Sequence, residues 1–166
     1  GWGALAIHAC REYGCRVTTT TISDGQYQLA KERIEKANLT DRITLLKKDY
    51  RELDGQYDKL VSIEMIEAVG HEYLDTYLGI CSERLKPDGR ALIQAILMAE
   101  RNYDNYRQSV DFIQKYIFPG GALPSLSSIM SGIRKRTNLQ MSGFQDISAD
   151  YAHTLRDWRF GFTEQA

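Results

Sequence analysis

Apolar residues recur along this chain with two alternating periods. Leu5, Ala6, Ala9 and Cys10 mark one face of a helix expected over 4–13. The β-branched run from Val17 to Ile22 reads as a buried strand within 15–22. Ser23-Asp24-Gly25 then caps a helix over 26–36, and Ile43-Thr44-Leu45-Leu46 forms a short strand. Tyr57 to Ile63 is a further strand after the turn Asp54-Gly55. A helix over 73–85 ends at Lys86-Pro87-Asp88-Gly89, and a strand follows over 90–97. The apolar stripe Phe112, Ile113, Tyr116, Ile117 and Phe118 predicts a helix over 106–118, packed on the core and stopped by Pro119-Gly120-Gly121. Helices over 125–136 and 151–162 flank a strand expected over 140–147.

Strands alternating with helices imply an α/β fold with a mostly parallel sheet and helices on both faces. Ligands of such sheets bind outside the carboxyl ends of the strands. The chain has 166 residues, room for one domain (1–166) with a real core. Gly1-Trp2-Gly3 lies directly against the first helix. It reads as the second half of a glycine-rich strand–turn–helix, whose first strand is expected upstream of Gly1. A glycine there lets the backbone turn sharply and approach a ligand, and the helix N-terminus offers free N–H groups.

The net charge of -1 and the absence of a basic, aromatic-rich repeat argue against a nucleic-acid partner. No apolar run reaches the length of a membrane span, so a cytoplasmic protein is expected. Cys10, Cys15 and Cys81 show neither metal spacing nor a disulfide framework and are expected as buried, reduced thiols.

Three strand ends converge on the cofactor edge: Gly1 to Gly3, Thr20 to Ser23, and Asp49-Tyr50. A dinucleotide site would carry Asp or Glu at the end of the second strand for the ribose hydroxyls. Here Thr21-Ile22-Ser23 holds that position and Asp24 comes late, so S-adenosylmethionine fits better than a dinucleotide. Asp49 could accept from an adenine amino group, or be a solvated carboxylate in a turn. Tyr50 could pack on the ring face. Met65-Ile66-Glu67-Ala68-Val69 sets a carboxylate in an apolar stretch just after a strand, where it needs a partner or a shifted pKa. It could instead cap the next helix or pair with an arginine. His71 and His153 are expected in loop or surface roles.

Several blocks together carry a resemblance. They are Gly1-Trp2-Gly3-Ala4, Thr20-Thr21-Ile22-Ser23 with Gln26, and the run from Val61 to Glu72. Phe118-Pro119-Gly120-Gly121-Ala122-Leu123-Pro124-Ser125 and Asp150-Tyr151-Ala152-His153-Thr154-Leu155-Arg156-Asp157-Trp158 complete the pattern. The chain resembles the cyclopropane-fatty-acyl-phospholipid synthase and mycolic acid cyclopropane synthase family of S-adenosylmethionine-dependent methyltransferases. The resemblance implies a Rossmann-like class I methyltransferase sheet, truncated here at its first and last strands. It implies cofactor contacts at Gly1, Gly3, Thr21, Ile22, Gln26 and Tyr50, with Asp49 beside them. It implies catalytic roles for Glu67 and Tyr151, and it sets Gln94 where the family's cyclopropane makers commonly place a histidine. In that family a bound bicarbonate serves as base. The resemblance thus implies a bicarbonate pocket lined by Glu67, Gln94, Tyr151 and the backbone near Ile96.

The implied reaction transfers a methyl group to the double bond of an unsaturated phospholipid acyl chain at a membrane surface, followed by proton loss. Cyclopropane is the leading product. Glutamine cannot carry a proton at physiological pH, which keeps methyl-branched and methylene products open. The stripe at 112–118 would help wall the acyl channel, and Ile133-Arg134-Lys135-Arg136 could meet anionic headgroups at the inner face of the membrane or be a solvated helix end. An amine N-methyltransferase of the same fold, a non-enzymatic remnant and, more distantly, a dinucleotide oxidoreductase are the rival readings.

Overall fold

A computed structural model describes residues 1–164. Four strands form two parallel pairs. Strand β1 (Val17–Thr20) pairs with β2 (Ile43–Leu46), and β3 (Tyr57–Ile63) pairs with β4 (Leu85–Gln94). The expected parallel α/β architecture is present, as a partial sheet in two pieces.

Helices α1 (Ala4–Tyr13) and α2 (Asp24–Lys36) pack on the first pair. Ala6, Cys10, Ile34 and Ile43 make the core there, with Val17 and Leu45 against it. Ser23 caps α2 by accepting from the Gln26 N–H, as its sequence foretells. Helix α3 (Leu74–Glu83) covers the second pair and is backed by α5 (Leu126–Arg136). Ile66, Leu74, Tyr77, Leu78 and Cys81 form this larger core, with Leu60 and Ile93 against it. Tyr77 donates to Ser62 Oγ at 2.7 Å and its ring meets Tyr50 edge-on at 5.6 Å, tying the end of β2 to β3. On the opposite face of β3–β4, Val61, Ile63 and Leu92 are exposed.

Three elements differ from expectation. Strand β4 begins at Leu85 and takes in the Lys86–Gly89 turn as an irregularity. The register moves from Tyr57↔Leu85 to Lys59↔Arg90 across it. The helix expected over 106–118 is broken. Helix α4 (Glu100–Arg107) ends early, and a π-helical turn, Ile113–Ile117, follows after a gap. Asp111 causes the restart: its carboxylate accepts from the Gln114 N–H at 2.7 Å while Gln114 Oε1 accepts from the Asp111 N–H at 3.0 Å. The apolar stripe is correspondingly exposed rather than core-packed, with Phe112, Tyr116 and Phe118 all above 60% exposure. Residues 140–147 are irregular, because no strand lies beside them to complete a ladder among the described residues. Helix α6 (Ser148–Glu164) closes the described chain.

Cys10 and Cys81 are buried, but Cys15 is exposed, contrary to expectation. Burial pushes the Cys81 thiol up to about 11, which keeps it protonated and unreactive at neutral pH.

His71 is also more enclosed than a surface role requires. It lies edge-on to Tyr103 and Tyr106 of α4, and its Nε2 is buried without a partner. Burial, aided by the Arg107 charge, lowers its pKa from 6.5. The unfolded chain therefore takes up the proton more readily than the folded one. The stability held by neutral His71 is complete above pH 6.5 and is lost as pH falls from there towards the lowered folded value. Urea unfolding of the full-length protein should show a midpoint that drops between pH 7.5 and pH 5.5, the values about 1 unit either side of the histidine reference. His71→Phe should flatten that drop, and an unchanged slope would assign it to other groups.

Candidate active site at the strand ends

The carboxyl ends of all four strands carry the candidate residues. After β1, the Thr21 N–H still donates to the Leu46 carbonyl, extending the ladder by one bond. The Thr21 side chain is buried, donates to Gln26 Oε1 at 2.7 Å and accepts from the Ser23 N–H at 3.2 Å. Thr21 and Gln26, both expected at the cofactor, are thus one hydrogen-bonded unit. Ile22 beside them is 73% exposed and offers an apolar surface at the rim. Asp24, too late for a ribose contact in sequence, sits in the first turn of α2 and pairs with Lys47.

The Gly1 nitrogen donates to the Thr20 carbonyl at 3.3 Å. Gly3 is buried with φ of 83°, a left-handed conformation that glycine adopts freely. A Cβ on it would stand 3.2 Å from Ala30 Cβ. Its lack of a side chain is therefore used, at least in part, to let α1 start close against α2.

After β2, the Asp49 carboxylate takes three hydrogen bonds from Arg51: from N at 2.9 Å, from Nε at 2.8 Å and from Nη2 at 2.8 Å. These bonds and the guanidinium charge hold its carboxyl below the usual carboxylate range. A carboxylate has about four acceptor directions, so one remains for an incoming amino group. Tyr50 is half-buried, and burial raises the pKa of its hydroxyl.

After β3 the chain turns at Glu64, whose φ of 50° is left-handed and costs a non-glycine residue about 1–3 kcal/mol. The Glu64 N–H donates to the Gln94 carbonyl at 3.0 Å, and Gln94 Nε2 donates to Glu64 Oε1 at 3.0 Å. Beyond this turn, Glu67 sits in a 3₁₀ turn, Ile66–Ala68, anchored by buried Ile66. Glu67 Oε1 accepts from the Ile96 N–H at 2.7 Å, so the carboxylate bridges the ends of β3 and β4. Its Oε2 is buried and accepts no hydrogen bond. The Glu67 carbonyl accepts from the Ala122 N–H at 2.7 Å. The Pro119-Gly120-Gly121 block therefore holds the Glu67 turn from the other side, and Gln114 Nε2 braces it by donating to the Gly121 carbonyl at 3.1 Å.

The structure brings Glu67, Gln94 and the Ile96 backbone together and adds Glu64 beside them. Tyr151 lies on α6 with its ring edge-on to Trp158 at 6.2 Å. Among the described residues no hydrogen bond joins it to Glu67 or Gln94, and no three potential metal ligands converge. His153 is exposed, 2.8 Å from Arg156, and among the described residues no helix is long and apolar enough to cross a membrane.

The parallel strand pairs and the helices packed on them have the fold of the class I methyltransferases, as a partial sheet. The chain superposes with a TM-score of 0.87 on mycolic acid cyclopropane synthase CmaA1 complexed with SAH and CTAB. It covers 99% of this chain and 61% of that one at 24% identity. The model of mycolic acid cyclopropane synthetase matches residues 1–166, and the chain belongs to that family. It is 39% identical over 165 residues to tuberculostearic acid methyltransferase UfaA1 of Mycobacterium tuberculosis, covering 99% of this chain and 38% of the relative. It is 36% identical over 160 residues to cyclopropane-fatty-acyl-phospholipid synthase of Escherichia coli K12, covering 95% of this chain and 39% of the relative. The chain thus spans about two fifths of the length of these curated relatives.

Proposed function

We propose that this chain forms the cofactor-binding and catalytic centre of an enzyme that methylates the double bond of unsaturated phospholipid acyl chains with S-adenosylmethionine. The observation that carries the reading is Glu67: a carboxylate locked between two strand ends by the Ile96 N–H, with one oxygen buried and free. The relatives named for fatty-acyl substrates support the lipid assignment.

The residues fit the methyl donor. Glu64 and Glu67, in no ion pair among the described residues, give the strand-end edge the negative sign that suits a sulfonium, while Asp49, paired with Arg51, keeps an acceptor direction for an adenine amino group. The donor supplies an electrophilic methyl. The chain's own residues position and exclude. The Thr21–Gln26 unit and Tyr50 shape the cofactor cradle, and Phe112, Tyr116 and Phe118 present the apolar surface that an acyl chain needs. Because an alkene is a poor nucleophile, holding it against the methyl supplies most of the rate. Keeping water from the resulting carbocation decides whether an alcohol forms. The protein would act at the membrane surface.

Ring closure and methylene formation are both open to this site. Gln94 keeps the second and the methyl-branched product open beside the first, because its amide is held by Glu64 and carries no proton to or from the cation. Gln94→His is expected to raise the cyclopropane share of the products. An unchanged ratio would remove residue 94 from product choice.

The test of the reading offers the full-length protein methyl-labelled donor with unsaturated phospholipid vesicles and a mixture of amines. Label should enter acyl chains. Label in amines alone would replace the lipid reading with the N-methyltransferase one.

A further inference from the structure

We propose that Arg51 is a positioning residue of the donor site: it fixes the Asp49 carboxylate in one orientation, so that the site selects a 6-amino purine over a 6-oxo one. The inference rests on the reading of these strand ends as an S-adenosylmethionine site and names a residue that decides which base the site accepts.

Asp49 caps the 3₁₀ turn Tyr50–Glu52 by accepting from the Arg51 N–H at 2.9 Å. That cap needs a single acceptor, which serine or asparagine supplies as well. The Arg51 side chain does more than the turn requires. Its Nε donates to Asp49 Oδ1 and its Nη2 to Oδ2, each at 2.8 Å, the two-pronged contact that locks a carboxylate plane. Oδ1 thus holds two donors and Oδ2 one, so an approaching donor meets Oδ2. The Asp49 side chain is 26% exposed, which leaves that oxygen within reach of a ligand. The guanidinium is held in turn. Its Cζ lies 5.8 Å from the Tyr50 ring centroid and 6.0 Å from that of Tyr73, the residue just ahead of α3. Arg51 therefore joins the adenine edge after β2 to the chain that follows the Glu67 turn.

Orientation matters because both kinds of purine carry an N–H on this edge. Adenine offers its amino group at C6 and an acceptor at N1. A 6-oxo base offers an acceptor at C6 and moves the N–H to N1. An ionised carboxylate can only accept. The bonds from Arg51 hold the Asp49 carboxyl below the usual carboxylate range, so it stays ionised at neutral pH. A carboxylate free to turn could follow the N–H from one ring position to the next and bind either base. A locked one meets the 6-amino group and sets its oxygen against a 6-oxo group, with no hydrogen between them. A site built around one hydrogen bond rejects the analogue that cannot make it.

The test titrates the full-length protein by calorimetry with S-adenosylhomocysteine and with S-inosylhomocysteine, its 6-oxo counterpart. Wild type should prefer the 6-amino ligand by about 10–100-fold, the scale of one hydrogen bond to a charged group. Arg51→Met should bring that ratio close to one. Arg51→Lys should follow it, because a point charge keeps the ion pair but not the fork. A purely structural role for Arg51 would weaken both ligands alike, so a wild-type ratio retained by either variant would overturn the proposal. A wild type that binds the two ligands equally would also overturn it and leave the donor site standing. If Arg51→Met does not fold, the wild-type ratio and Arg51→Lys decide. A wild type that binds neither ligand would remove the donor reading and this inference together.

Discussion

Ala122→Pro is expected to lower kcat for lipid methylation by about 10²-fold, the loss that follows when a reacting group is displaced by about 1 Å. Ala122 is buried, 7% exposed, and its N–H reaches the Glu67 carbonyl at 2.7 Å. Proline removes that donor and leaves a carbonyl without its partner, a cost of about 1–3 kcal/mol. The Glu67 turn then has its side-chain bond to Ile96 but no anchor on the main chain. KM for the donor should change little, because Thr21, Gln26 and Asp49 lie on other strand ends. Ala122→Gly keeps the N–H and should retain most activity. Equal losses in the two variants would mean that the Ala122 side chain, and not its hydrogen bond, holds the turn.

Gly3→Ala should destabilise the full-length protein and weaken the donor site together. The left-handed φ of 83° costs a non-glycine residue about 1–3 kcal/mol, and the new methyl would press on Ala30 at 3.2 Å. Relief requires α1 to move away from α2, which shifts the first turn of α1 at the cofactor edge. Combining Gly3→Ala with Ala30→Gly separates the two causes through their coupling energy. Urea unfolding should show the pair recovering the contact component and not the backbone component. Complete recovery would show that the left-handed backbone at residue 3 carries no cost.

Much of the frame was legible because its signals are local. Ser23 and Ser125 sit at helix starts for a reason visible in three or four residues, and the β-branched run at 17–22 has few other uses. The failures share a cause. The stripe at 112–118 has helical spacing, but the reciprocal Asp111–Gln114 bonds restart the chain there, and spacing alone does not register a cap inside a pattern. Residues 140–147 set Met141, Phe144 and Ile147 among short polar residues, and such a segment carries no information about a strand partner. Glu67 was readable as a carboxylate in apolar company, and Gln94 as a glutamine at a place of interest. Their joint geometry was not readable. It depends on a left-handed Glu64 and on the Ile96 N–H arriving from a strand about 30 residues away, as chain spacing and strand pairing allow. The role of the Pro-Gly-Gly block was hidden for the same reason, since its bond to the Glu67 carbonyl joins segments distant in sequence.

Calorimetric titration of the full-length protein with S-adenosylhomocysteine tests most directly whether these strand ends cradle a methyl donor. Saturable binding with one site per chain is predicted, weakened by Thr21→Val and by Gln26→Ala and left intact by Glu67→Gln. No heat of binding, or binding indifferent to both cradle substitutions, would contradict the account.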